Sequence, residues 1–208
     1  MISATIKDVE LIFETESSIF SPNFIDIGTL AMLSVIDFLP SDKVLDLGCG
    51  YGVVGILAGK LIGEESVVMC DISERAVEYS KINATLNGVP NINIRLSDGY
   101  KNVEENNFTL ILSNPPYHAD FSVPKNFIEF GFRKLTIGGK MVMVTKRLDW
   151  YKNKLISIFG GVKVQEIEGY YVFVAEKRTE FVKKKRKATK SLSNKLQRKY
   201  KYSNANQQ

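Results

Sequence analysis

Short unbroken apolar runs alternate along this chain with stretches whose apolar positions return every three or four residues. The first pattern suits strands buried on both faces, the second suits helices lying on them. Strands are expected at Val44–Leu47, Ser66–Cys70, Asn91–Leu96, Phe108–Leu112 and Met141–Val144, the last entered through a Gly138-Gly139 turn. Helices are expected over Thr29–Leu39, Val53–Leu61, Glu74–Leu86, Asn126–Leu135 and Leu148–Phe159. The first would bury Leu30, Leu33, Ile36 and Leu39 and stop at Pro40; Asn87-Gly88 is a left-handed stop for the third, and Gly160-Gly161 ends the fifth. Val162–Ile167 and Tyr170–Ala175 form a closing hairpin across Glu168-Gly169. Two alternating stretches in residues 2–13 read as strands on the edge of the main sheet, and Ser18–Thr29 as a turn-rich segment. Strands alternating with helices predict an α/β fold, a mostly parallel sheet with helices on both faces.

Composition adds a boundary. Of 208 residues 44% are hydrophobic, enough for one core, and no apolar run reaches the ~20 residues of a membrane span. MISATIKDVE lacks a basic head followed by an apolar stretch, so no signal peptide is expected. Cys49 and Cys70 lack a CxxC partner and read as packing or loop cysteines in a reduced, cytoplasmic, metal-free protein.

The net charge of +5 hides two opposite parts. Beyond Glu180 there are ten Lys and Arg and no acid; removing those ten from 28 leaves 18 basic against 23 acidic residues for 1–180. The division is therefore a domain at 1–180 and a basic tail at 181–208. The tail, with Tyr200 and Tyr202 among its lysines, has too few apolar groups for a core. It reads as an arm for RNA phosphates, or else as a solubilising end.

The chemistry begins at Lys43–Gly52, KVLDLGCGYG, where a strand runs through Gly48, Gly50 and Gly52 into a helix. This is the first βα corner of a nucleotide-binding sheet. The third position of G-x-G-x-x-G is Val53, and Asp46 precedes the loop. A carboxylate there repels a pyrophosphate and favours a cation. S-adenosylmethionine (SAM) carries a sulfonium and an ammonium and no phosphate. The competing reading is a plain strand-to-helix turn. Asp71, at the end of the second strand, is placed to grip ribose hydroxyls or to cap the next helix; Asp98 in Ser97-Asp98-Gly99 either faces the adenine amino group or is a solvated turn residue.

Asn114-Pro115-Pro116-Tyr117 follows the fourth strand, at the end of the sheet where ligands bind. An amide or aromatic amine nitrogen is a poor nucleophile because its lone pair is delocalised. The Asn114 side-chain oxygen and the Pro115 carbonyl can accept its two N–H groups and the growing positive charge. Pro115 and Pro116 stiffen the turn, and Tyr117 offers a face for an extruded base. No cysteine nucleophile is needed, and none is expected near this loop. A proline turn without chemistry is the alternative.

SIFSPNFIDIGT, DLGCGYG, CDISERAVEYSKINATLNG and SNPPYH together resemble the class I SAM-dependent methyltransferases that modify amino nitrogens. Over residues 18–176 the chain is similar to the ribosomal RNA small-subunit methyltransferase C family, which makes N2-methylguanine. The resemblance implies a Rossmann-like seven-stranded sheet with an antiparallel last strand. It implies SAM as cofactor, contacted by Asp46, Gly48, Gly50, Asp71 and Asp98; Cys49, Gly52, Ile72, Gly99, Asn114 and Thr29 are the further candidates for cofactor contact. It implies amine contact at Asn114, with Phe20 and Thr29 bordering the methionine end or the substrate, and RNA, ribosomal first, as partner. His118 is read as a loop residue near RNA or SAM rather than a base. Long members of that family carry a duplicated N-terminal domain that is absent here. Two alternatives stay open: methylation of a protein glutamine or of adenine N6, and a non-enzymatic RNA-binding or ribosome-assembly factor.

Overall fold

The computed structural model describes residues 1–116 and 120–180. Tyr117, His118 and the tail 181–208 lie outside the described residues, so the expectations for them are not addressed by the fold.

The chain opens with β1 (Ile2–Ile6) and β2 (Val9–Phe13), paired antiparallel. Helix α1 (Ile27–Ser34) precedes β3 (Val44–Leu47), followed by α2 (Val53–Ile62) and β4 (Val67–Asp71). Then come α3 (Glu74–Leu86), β5 (Asn93–Leu96), β6 (Phe108–Ser113), α4 (Ser122–Lys134), β7 (Leu135–Thr145), α5 (Asp149–Phe159), β8 (Lys163–Ile167) and β9 (Tyr170–Glu176). The main sheet has seven strands in the order β5-β4-β3-β6-β7-β9-β8. The pairs from β5 through β7 are parallel, and β9 runs antiparallel to both neighbours, giving the expected Rossmann-like sheet. β3 is buried along its whole length, as its apolar pattern requires. One face carries the core of α1, α2 and α3, the other that of α4 and α5.

Four details differ from the sequence reading. The β1–β2 hairpin is not on the edge of the main sheet; it forms its own two-stranded sheet against α2 and α3. Asn83 of α3 and its C-cap Asn87, one turn apart, close the edge of the hairpin. Asn83 Oδ1 accepts from Glu14 N at 2.7 Å and its Nδ2 donates to Glu14 O, while Asn87 exchanges bonds with Ile12 N and O. Side-chain amides thus satisfy backbone groups that an edge would leave open.

Helix α1 begins earlier and ends earlier than Thr29–Leu39. Asp26 caps its start, accepting from Thr29 N, and Ser34 Oγ bonds back to Ala31 O, competing with the helical ladder. Leu39 is consequently exposed. Helix α4 begins four residues before Asn126, because Pro124 falls in its first turn, where no N–H is required. Gly138-Gly139 lies inside β7 rather than before it: Gly138 N donates to Lys177 O and Lys177 N to Gly139 O, extending the strand through a bulge.

Candidate active site

Strand order reverses between β3 and β6, so the loops leaving these parallel neighbours open a crevice beyond their carboxyl ends. A cleft of about 350 Å³ lies there. Its wall includes Gly48, Cys49 and Gly50 after β3, Asp71 and Ile72 after β4, Asp98 and Gly99 after β5, and Asn114, Pro115 and Pro116 after β6. Phe20, Asp26 and Thr29 close it from the N-terminal segment, and Phe127 of α4 adds a ring.

The glycine loop is shaped from below. Gly48 and Cys49 both donate their N–H to Cys70 O, at 2.9 and 3.0 Å, and Gly50 N donates to Asp71 Oδ2 at 2.9 Å. Gly48 and Gly50 have φ of 77° and 56°, and a Cβ on either would meet no atom within 4 Å. A side chain at either position would therefore project into open space at the loop, on a strained backbone. Gly52, also at positive φ, is the N-cap of α2; it was expected to touch the cofactor but does not line the cleft, because its α-carbon faces Ile56 and Met69 of the core.

Asp46 is buried under the loop, its Oδ2 accepting from Gly55 N in the first turn of α2 at 2.8 Å. Loss of solvation raises its carboxyl to about 7, against the pull of that N–H and with help from the Asp71 charge. Asp71 does not cap α3; Ser73 does, accepting from Ala76 N at 3.3 Å. The Asp71 oxygens accept from Gly50 N and Ser73 N and keep further lone pairs for a ligand. Asp98 sits exposed at the rim and pairs with Lys101 at 2.6 Å, closer to the solvated-turn alternative. Ile72 is 69% exposed, an apolar side chain held in the open at the cleft.

The Asn114 side chain is fixed on one side. Its Nδ2 donates to Asp26 Oδ2 at 2.8 Å and to Thr29 Oγ1 at 3.0 Å. A carboxylate only accepts, so this corner of the amide must be nitrogen. Its Oδ1 is buried and has no partner among the described residues. Buried acceptors are rarely left so. Thr29 was expected beside the cofactor or substrate; it lines the cleft and also braces Asn114. Asp26 was not anticipated as a site residue, although it stands in the DIGT segment three residues before Thr29, where a helix N-cap was the available signal.

Cys49, expected at the cofactor, and Cys70 both line the cleft, because each sits where a parallel strand meets its loop. Burial pushes the Cys49 thiol far up and the Cys70 thiol up to about 12, so both are protonated at neutral pH and neither is a nucleophile.

The donor set fits SAM. Asp26, Asp46, Asp71 and Asp98 line the cleft, and among the described residues no Lys, Arg or His does. That charge favours a cation and repels the phosphates of a dinucleotide.

The profile of the methyltransferase small domain family matches residues 10–174. The chain is 31% identical over 181 residues to the uncharacterized protein YbxB of Bacillus subtilis, covering 84% of this chain and 90% of that one. It is 30% identical over 162 residues to the ribosomal RNA large subunit methyltransferase G of Yersinia enterocolitica, covering 74% of this chain and 41% of the relative. The 16S rRNA N2 G1207 methyltransferase of T. thermophilus, solved with AdoMet and guanosine, superposes with a TM-score of 0.76 at 26% identity, over 85% of this chain and 50% of that one. The chain thus spans about half the length of the ribosomal RNA methyltransferases it matches. With its sheet order, its glycine corner and a family match from the second strand to the last, this chain belongs to the methyltransferase small domain family.

Proposed function

We propose that this chain takes a methyl group from SAM and delivers it to an exocyclic amino nitrogen of RNA, guanine N2 of ribosomal RNA first. The observation that carries the reading is the unpartnered, buried Asn114 Oδ1 in the cleft wall. It is an acceptor held ready for an N–H that none of the described residues supplies.

Bound in the cleft, SAM would supply an electrophilic methyl group on a sulfonium. Asp46 and Asp71 hold the cationic and hydroxylated parts of such a ligand, with the bare backbone of Gly48 and Gly50 admitting it closely. Cys49, Ile72 and Gly99 complete the contact surface in this reading. Asn114 Oδ1 and the Pro115 carbonyl accept the two N–H groups of the amine. They draw its nitrogen toward a tetrahedral lone pair and take up the positive charge that develops. Pro115 and Pro116 hold that carbonyl with little freedom to lose. The methylated amine then releases its proton to water, so no protein base is required.

Further support for RNA lies beside the cleft. Lys146 and Arg147 are exposed just past β7, the parallel neighbour of β6. Arg147 stands 5.0 Å from the Phe121 ring, which stacks on Trp150 at 4.5 Å. Cations set among aromatic faces suit phosphates and bases. The basic tail is the second arm of this reading, and a cytoplasmic site of action accords with it. Among the described residues, no helix is long and apolar enough to cross a membrane.

Labelled SAM, incubated with 16S and 23S ribosomal RNA, small subunits, transfer RNA and release factors, tests the proposal. Label recovered as N2-methylguanosine is the expected result, and Asn114→Ala should abolish it while leaving SAM affinity nearly intact. Label in protein glutamine or in N6-methyladenosine would transfer the reading to those substrates. Calorimetric silence with S-adenosylhomocysteine, alongside heat from a nicotinamide dinucleotide, would overturn it.

A further inference from the structure

The Asn114 amide has two chemically opposite ends, and only one suits an incoming amine. Which end faces outward is decided by a residue outside the Asn114-Pro115-Pro116 loop. Asp26 Oδ2 accepts from Asn114 Nδ2 at 2.8 Å and from Thr29 N, the α1 cap bond, at 2.9 Å. Asp26 is itself buried, with the Tyr170 hydroxyl 3.5 Å from its other oxygen. The Tyr170 ring lies so close to Gly28 that a Cβ there would come within 2.7 Å of it. Asp26 is therefore gripped from three directions: by the first turn of α1, by Tyr170 of β9 and by Asn114.

We propose that Asp26 is a positioning residue, which with Thr29 locks the Asn114 amide in the orientation that leaves Oδ1 unpaired and so tunes the site to substrates that arrive as N–H donors. The inference rests on the reading of Asn114 as the amine acceptor. If the amide turned over, its oxygen would face a carboxylate, and its NH2 group would meet the amine with a donor against a donor. A ring nitrogen or carbonyl that offers only a lone pair is refused by the locked orientation, because two acceptors would then meet. Asp26 makes no contact with the transferred methyl in this scheme; it acts through Asn114.

Asp26→Ser separates this role from helix capping. Serine is an equally good cap but is one atom too short to reach Asn114. Asp26→Asn keeps an acceptor oxygen at the same corner. Slow solvent exchange of the Asn114 side-chain NH2 protons is expected in 15N spectra of the intact protein, assigned by their loss in Asn114→Ala. Exchange should become fast in Asp26→Ser and stay slow in Asp26→Asn. With saturating tritiated SAM and purified 16S ribosomal RNA, Asp26→Ser should lose at least about tenfold in kcat, while Asp26→Asn, which removes the same charge, should retain transfer.

Unchanged NH2 exchange in Asp26→Ser overturns the inference whatever the substrate proves to be. Full activity of Asp26→Ser beside a dead Asn114→Ala overturns it while leaving the amine-acceptor reading in place. Full activity of Asn114→Ala removes that reading itself. Should Asp26→Ser fold poorly, Thr29→Val removes the other acceptor and is read by the same exchange measurement.

Discussion

Asp46→Asn should make the ligand-free protein more stable and worse at holding its methyl donor. The Asp46 carboxyl is 3% exposed, accepts one N–H from Gly55, and lies near the Asp71 charge. Its affinity for a proton rises from 3.8 to about 7 on folding, chiefly through lost solvation. Three units correspond to about 4 kcal/mol against the folded state once the group is ionised. The sign follows from proton counts. Between 3.8 and about 7 the folded chain keeps this proton and the unfolded chain has lost it, so this group's contribution to stability falls as pH rises and levels off above 7. Asparagine keeps an oxygen for Gly55 and never ionises. Burying its NH2 offsets the gain by about 1 kcal/mol, leaving about 3 kcal/mol of added stability near pH 8 and little near pH 5. Urea denaturation of both proteins at the two pH values measures this. Calorimetry should show SAM affinity reduced at least about tenfold, since a carboxylate facing a cation is gone. Parallel stability curves for the two proteins across this range, or a variant less stable at pH 8, would refute the argument.

Two other outcomes are expected. Asn83→Ala strips bonds to Glu14 N, Glu14 O and Tyr51 O from a fully buried site, and should cost about 2–4 kcal/mol in denaturant unfolding; a loss below about 0.5 kcal/mol would mean the hairpin does not depend on this amide. The chain ended at residue 180 should bind RNA more weakly, with a shallower dependence of log K on log salt, by about 0.7 for each phosphate the tail contacts; unchanged binding at two salt concentrations would remove the tail from recognition.

Most of the sheet was legible because its strands are buried on both faces and their apolar runs are unbroken. β3, β4, β6 and the closing hairpin lie where those runs put them. α3 was readable to its last residue, since Ser73 caps one end and Asn87-Gly88 stops the other. Errors arose where a local signal has two meanings. The helix expected from Asn126 starts at Ser122, because a proline at 124 is harmless in a first turn. Gly138-Gly139 reads as a turn, yet a bulge accommodates it within β7. The hairpin lacked any signal for its resting place except the Asn83–Asn87 spacing, which acquires meaning only when β2 lies beside α3. In the cleft, Asp46, Asp71 and Asn114 were foreseeable from motif and strand order. The bond from Asn114 to Asp26 was not, because it joins positions 88 residues apart.

The N-terminal hairpin and the segment that follows it have a practical consequence. Judged by the parallel sheet alone, the catalytic unit would be cut just before Val44, and everything earlier trimmed as an appendage. Yet that stretch furnishes Phe20, Asp26 and Thr29, and Asn83 ties its backbone to the carbonyl of Tyr51 in the glycine corner. A shortened protein of that kind would retain the nucleotide-fold scaffold but lose one side of its reaction chamber. Conversely, grafting residues 1–42 between relatives offers a way to exchange what the enzyme accepts without disturbing the strands that carry the donor.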